Sequence, residues 1–282
     1  MSRCLSEGYG GDQRQVTWLK GNAFDPSTFS HVLPEVGGVV HTIGTLFEDG
    51  GVYKAALREG DVPKLVGGFF NTVMENINGS NPLAQKQREG SYERLNRDSA
   101  LRVCEAFVQS GKGKAYPKPR PFVFISAEDF SRPIIPSRYI ETKREAEQGI
   151  DTLVSTKPDQ YRGVYIRPSL VYHAHYRPLT TPAAALFDLS AALHTKGPPG
   201  VPKPADVLRR LGNTLSPRSH PPEGHVDLGS TLESVANALT IPPIHVDHVG
   251  DAVAVALQLD SLRGPVGVQM MRELIGWDSM KS

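Results

Sequence analysis

Cysteine is scarce: the 282 residues contain two, Cys4 and Cys104. Two thiols cannot build a disulfide framework or a four-thiolate zinc site. A run of eighteen apolar residues is also missing, so no segment has the length and hydropathy of a membrane-spanning helix. Nor is there an excess of one charge. Thirty-one Lys plus Arg against thirty Asp plus Glu leave a net charge of +1, without the basic surplus of a nucleic-acid binder. The opening residues, Met1 to Gly11, are polar and glycine-rich and show no secretory or mitochondrial presequence pattern. His41, His173 and His175 lack cysteine or carboxylate partners at ligand spacing, so no metal is expected. What remains is an ordinary globular composition, 39% apolar and 22% charged, long enough for one large α/β domain or two small ones.

Strand and helix patterns alternate from residue 15 to residue 171. Gln15–Lys20 alternates around Val16 and Trp18 and reads as a strand, closed by the turn Gly21-Asn22-Ala23-Phe24-Asp25-Pro26. The compact β-branched run Gly38-Val39-Val40-His41-Thr42 predicts a strand buried on both faces. A long excursion with some helix follows, from Gly44 to Gly90. Helical spacing then appears over Tyr92–Gln109. A solvated basic loop, Lys112 to Arg120, leads to the strand Phe122–Ile125. Ser137–Leu153 reads as a helix and Tyr161–Val171 as a β-rich run. Such alternation predicts an α/β fold, a Rossmann-like doubly wound parallel sheet covered by helices. Beyond Tyr172, Pro and Gly crowd residues 197–223, which read as a long surface loop. Helices are expected over 181–195 and 229–239, a short strand over Ile241–Val246, and a helix over Asp251–Leu259.

One spacing points to chemistry. Tyr139 and Lys143 are four apart, so on a helix their side chains share a face. A lysine ammonium beside a phenol favours the phenolate and lets it exchange a proton near neutral pH. Ser126 ends the strand Phe122–Ile125, where a doubly wound sheet places its ligand-facing ends. Its hydroxyl could hold a carbonyl oxygen while Tyr139 supplies or takes the proton. The alternative is purely structural: Ser126 ends the strand, Tyr139 packs in the core and Lys143 lies on the surface.

Taken in order, Ser126, Tyr139-Ile140-Glu141-Thr142-Lys143 and Ile166-Arg167-Pro168-Ser169-Leu170-Val171-Tyr172 resemble the short-chain dehydrogenase/reductase superfamily in its extended or atypical branch. Asn96 and the segment Ile244-His245-Val246-Asp247-His248-Val249-Gly250-Asp251-Ala252-Val253 extend the match, and Gly21-Asn22 sits where that family has Gly-Asp at the adenine. Val40-His41-Thr42-Ile43-Gly44-Thr45-Leu46-Phe47-Glu48, with Val52-Tyr53-Lys54, is similar to fungal mitochondrial members related to the dehydrogenase-like accessory subunit of complex I, one group of which is associated with coenzyme Q biosynthesis. The resemblance implies an NAD(P)-dependent oxidoreductase-like protein on the matrix side of the inner membrane that supports ubiquinone production. It makes Ser126, Tyr139 and Lys143 the catalytic set. Arg3, Asn22, Thr42, Gly44, Asn96, Lys143, Arg167 and Pro168 become the contacts for NAD or NADP. Implied partners are a quinone-like or prenylated small molecule and a mitochondrial inner-membrane protein complex. A non-catalytic, cofactor-stabilised scaffold, or a defective fragment, is the rival reading.

The family's opening strand and Gly-x-x-Gly-x-x-Gly turn, which hold the pyrophosphate, have no counterpart before Gln15. The expectation is therefore a nucleotide-binding domain over residues 1–172 that lacks its first strand, with binding weakened about a thousandfold. Residues 173–282 would form a substrate lobe into which 241–260 return as Rossmann elements. Leu186, Phe187 and Leu193 would line the mouth of the cleft, and the tail after 260 would belong to the lobe. Without the first two strands, Gly38–Thr42 would be an open edge. Of two outcomes, a gap beside it or Gln15–Lys20 shifted to pair with it, the shift is expected, because unpaired backbone groups are costly.

Overall fold

The computed structural model describes residues 16–46, 92–129, 135–173, 203–215 and 228–277. Its centre is a parallel sheet of strands β1 (Val39–His41), β2 (Arg120–Ile125), β3 (Tyr161–Ile166) and β6 (Gly264–Val266), in that spatial order. Two further short strands, β4 (Val171–Tyr172) and β5 (Ile244–His245), pair in parallel beside it. The chain is thus α/β with a Rossmann-like parallel sheet. Six residues of β2 face six of β3, from Arg120 opposite Tyr161 to Ile125 opposite Ile166.

Alternation along these strands builds two cores. Phe122, Phe124, Tyr161 and Tyr165 face α1 (Ser99–Ser110) and α2 (Ser137–Val154), packing with Cys104, Phe107, Ala146 and Ile150. Val123, Val164 and Ile166 face the other way, against Ala252 and Ala256 of α5 (Val246–Gln258) and Val268 and Met271 of α6 (Val268–Leu274). Helices on both faces leave β3 wholly buried. A helical pair, α3 (Pro204–Leu215) and α4 (Leu228–Thr240), completes the described elements, joined by Arg209 on α3 donating to Asn237 (3.2 Å) on α4. Through Ser234 and Asn237, α4 also holds both the carboxylate and the carbonyl of Asp129, three residues beyond Ser126.

Two buried arginines fix the amino ends of the central strands. Arg120 donates to the carbonyls of Leu33 (2.9 Å) and Val36 (3.2 Å) and lies over the rings of Phe107 and Tyr116. Arg162 donates to the carbonyls of Ala256 (2.9 Å) and Leu257 (3.2 Å), in the last turn of α5, and of Leu262 (3.0 Å). A guanidinium suits such a place because it supplies several donors in a fixed plane to helix-end carbonyls that lack intrahelical partners.

Several expectations are corrected. Residues 16–20 are not a strand: they are irregular and exposed, Trp18 at 83%. No described segment, residues 16–20 included, pairs with the other edge of β1, so the expected shift of that segment is not seen. Local polar bonding wins there. Asn22 accepts from Asp25 N, and Asp25 caps a short 3-10 turn, Pro26–Thr28, through Ser27 N. Arg102 of α1 then holds the Phe24 carbonyl at 2.9 Å. The tail after 260 is not part of a lobe, since Gly264, at φ 75°, turns the chain into β6 beside β3. Inside the expected loop 197–223 lies α3: Pro204 opens it, as proline does at a first helical position, and no further proline interrupts it before Leu215. The predicted helix 229–239 corresponds to α4. The helix expected over 181–195, with Leu186, Phe187 and Leu193, lies outside the described residues.

Replacing Arg162 by Leu removes three hydrogen bonds and leaves carbonyls at the end of α5 without donors. The expected loss is about 3 kcal/mol of stability, read as a lower urea midpoint with an unchanged slope.

Candidate functional site

The carboxyl ends of β1, β2 and β3 gather most of the residues singled out in the sequence. After β1, the chain runs through Thr42, Ile43 and Gly44, all exposed. Gly44 lies against two side chains: a Cβ there would stand 2.8 Å from both Asn96 Oδ1 and Lys143 Nζ, so any larger residue would displace one of them. Asn96 is fully buried in a π-helical turn, Glu93–Asp98, that runs into α1. Its amide makes a two-way clamp on the loop, accepting from Thr45 N (2.8 Å) and donating to Thr45 O (3.1 Å). Tyr92 adds a bond from its hydroxyl to the Leu46 carbonyl (2.9 Å).

Helix α2 supplies the rest. Arg138, near its start, is bonded to Glu93 of the π-turn and to Glu145 (2.9 Å), which fixes α2 against that turn. On its inner face Lys143 is buried, and its ammonium donates to the Ile125 carbonyl at 2.9 Å, at the end of β2. That ammonium also stands 4.6 Å over the Phe124 ring and 6.0 Å from the Tyr139 ring centre. Burial lowers the Lys143 ammonium to about 8. The Tyr139 ring packs among Ala127, Ile135 and Ile140 and meets Tyr92 edge-on at 6.4 Å. Burial pushes the Tyr139 phenol up to about 12, the opposite of the shift expected from a neighbouring ammonium. His41, under the same loop, is held down to about 4 by burial and then by the charge of Lys143.

Ser126 follows β2 directly, its backbone N–H donating to the Ile166 carbonyl of β3 at 2.8 Å. Its hydroxyl is engaged by residues the sequence reading did not single out. It donates to Glu147, a buried carboxylate one turn beyond Lys143, and accepts from Arg144 at 3.1 Å. Glu147 also accepts from Arg144 (2.8 Å) and, with both oxygens, from Arg167. A signal was present in the sequence: Lys143 and Glu147 are four apart, so both belong to the inward face that α2 must bury. Glu128 lies close by, its carboxyl raised by burial against the lowering effect of Arg144 and Arg167.

Among the other expected contacts, Pro168 is buried, its carbonyl accepting from Glu128 N at 2.9 Å. Asn22 spends its side chain on Phe24 N (3.0 Å) in its own turn. Arg3 lies outside the described residues. Two surface cavities are lined by none of the expected catalytic or cofactor residues. One, about 400 Å³, is bounded by Phe24, Arg94, Asp98 and Arg102, and one of about 290 Å³ by Asp129, Ile140, Glu141, Arg144, Glu145 and Gln148. Among the described residues no group of His, Cys, Asp and Glu could hold a metal, and no helix is long and apolar enough to cross a membrane.

The lowered ammonium of Lys143 makes stability depend on pH. Below about 8 it is protonated folded and unfolded, and the cost of its burial is fully present; between there and 10.5 only the unfolded chain holds the proton. Stability of the wild-type chain should therefore rise through that window relative to Lys143→Met, measured by urea unfolding at stepped pH. The raised phenol of Tyr139 contributes equally to both proteins and cancels.

No family model matches the chain. A stretch of 167 residues is 29% identical to MIOREX complex component 2 of Saccharomyces cerevisiae, covering 57% of this chain and 57% of that protein. The matched stretch thus spans little more than half the length of that relative. Among solved structures, RMD from Pseudomonas aeruginosa, in complex with NADPH, aligns over 92% of this chain and 81% of its own at 12% identity and a TM-score of 0.35, too loose a superposition to relate individual residues.

Proposed function

We propose that this chain is an NAD(P)-binding, oxidoreductase-like protein that works in a mitochondrial protein assembly and supports ubiquinone biosynthesis. The observation that carries the nucleotide reading is the meeting of Gly44, Asn96 and Lys143 where β1 and β2 end. Open parallel sheets bind ligands there. A nicotinamide dinucleotide fits these residues in part. Among the described residues Lys143 spends one ammonium N–H, on Ile125, and the other two would hold ribose hydroxyls, while the exposed run Thr42 to Gly44 lets a ligand approach the backbone closely. Donors for a pyrophosphate, a glycine turn at a helix N-terminus, are not among the described residues. When bound, the cofactor supplies or accepts a hydride. Tyr139 would exchange a proton with the substrate oxygen, and Arg167 and Pro168 would flank the reacting end. A quinone-like or prenylated carbonyl compound is the proposed substrate.

The assembly reading rests on the yeast relative, whose name makes it a component of a complex, and on the resemblance of residues 40–54 to mitochondrial members of the superfamily. A matrix-side position at the inner membrane belongs to the same proposal. One observation favours the rival, a cofactor-stabilised scaffold without turnover: the phenol of Tyr139 is held up to about 12 by burial.

The test is a titration of the purified chain with NADPH and NADH, followed by fluorescence, and an assay of hydride transfer to short-chain quinones. Saturable binding with turnover that falls at least about a hundredfold in Tyr139→Phe supports the enzyme. Saturable binding without turnover supports the scaffold. Absence of binding to either nucleotide rejects the nucleotide reading.

A further inference from the structure

Glu147 is a buried carboxylate with no part in the proposed function, yet it touches Arg167, which that proposal uses, and Ser126, which the sequence offers as a catalytic candidate. Its side chain is 6% exposed. Oxygen Oε1 receives the Ser126 hydroxyl, Arg144 Nη1 (2.8 Å) and Arg167 Nε (3.0 Å), and Oε2 receives Arg167 Nη2. Arg144 is fixed at its other end by the Ala127 carbonyl (2.8 Å) and also donates to Ser126 Oγ (3.1 Å).

These partners determine where the Ser126 proton lies. A guanidinium only donates and an ionised carboxylate only accepts. Placed between Arg144 and Glu147, the hydroxyl must receive from the first and give its one proton to the second. A serine that orients a substrate carbonyl has to donate to it, and this one has its proton engaged in a charge-assisted bond to a buried anion. Arg167 is in the opposite position. Both donors on one edge, Nε and Nη2, lie on Glu147, which fixes the guanidinium plane. Nη1 makes no hydrogen bond among the described residues, and the side chain is 24% exposed at the carboxyl end of β3.

We propose that Glu147 is a positioning residue: it takes the proton of Ser126 and locks Arg167, so that Arg167 Nη1, not the Ser126 hydroxyl, is the donor offered to a ligand oxygen. This rests on the nucleotide-site reading for the ligand, but the locking itself is a property of the free chain. The chemistry recognised is an acceptor oxygen, a carbonyl or a carboxylate, meeting a fixed guanidinium N–H.

The experiment reads the locking directly. Arginine Nε–Hε cross-peaks are recorded by ¹⁵N NMR on the full chain, with that of Arg167 identified by its loss in Arg167→Lys. In the wild-type chain and in Ser126→Ala the Arg167 peak should be sharp and slow to exchange with solvent, because Glu147 still holds it. In Glu147→Gln it should broaden away, while the peak of Arg162, whose Nε–Hε is sealed from water at the amino end of β3, persists as evidence that the fold is intact. Loss of both peaks in Glu147→Gln means unfolding, and the milder Glu147→Asp, which keeps the charge but shortens the reach, then decides by the same comparison. An Arg167 peak unchanged in the folded variant, or lost in Ser126→Ala, overturns the proposal. NADPH titration of the same samples separates the two claims: a wild-type chain that binds no nucleotide refutes the nucleotide reading, while the cross-peaks still decide whether Glu147 locks Arg167.

Discussion

The pairing of β2 with β3, six residues long and closed to water on both faces, is the constraint on which the other described elements depend. Parallel strands of this kind need a layer of helix on each side, and the side-chain alternation assigns those layers. Aromatic rings point to α1 and α2, and smaller β-branched residues point to α5 and α6. Each strand begins with a buried arginine or a residue beside one, satisfied by carbonyls from loops and helix ends rather than by carboxylates. The amino ends are therefore fixed structurally, and the functional residues collect at the opposite ends.

At those carboxyl ends, burial decides the chemistry more than proximity does. Lys143 sits deep enough that its ammonium is lowered, and Tyr139 deep enough that its phenol is raised. Removing water from both groups disfavours the charged form of each, which outweighs the attraction that a phenolate and an ammonium would have for one another. The buried ion pairs under the sheet end centre on Glu147, held between Arg144 and Arg167. A buried carboxylate is tolerated there because its two oxygens receive four donors. The result ties the ends of β2, β3 and α2 into one unit, to which Asn96 and Gly44 join the end of β1.

Much of this was legible in the residues. The apolar run Phe122–Ile125 and the helical spacing of Ser137–Leu153 gave β2 and α2 nearly at their observed bounds, and the β-rich run Tyr161–Val171 gave the start of β3 but ran past its end at Ile166; these elements are set by local periodicity and long burial. Residues 16–20 show where periodicity misleads. Their alternation is that of a strand, but a strand needs a partner, and the turn chemistry from Asn22 to Thr28 holds the chain elsewhere. The Gly264–Val266 strand was missed for the converse reason: three residues carry too little pattern, and only the neighbouring edge of β3 makes them a strand.

The sequence by itself determined the α/β alternation, the helix that carries Tyr139, Lys143 and Glu147 on neighbouring turns, and the position of Ser126 at a strand end. Those follow from repeats of two and of 3.6 residues, which any local stretch displays. The tertiary structure decided what these side chains could do. Whether Lys143 reaches the Ile125 carbonyl, whether Tyr139 loses its water, and which acceptor claims the Ser126 proton depend on groups far apart in the chain that meet only when β2, β3 and α2 pack. Charge and proton positions answer to burial and to those partners, and neither is written in spacing.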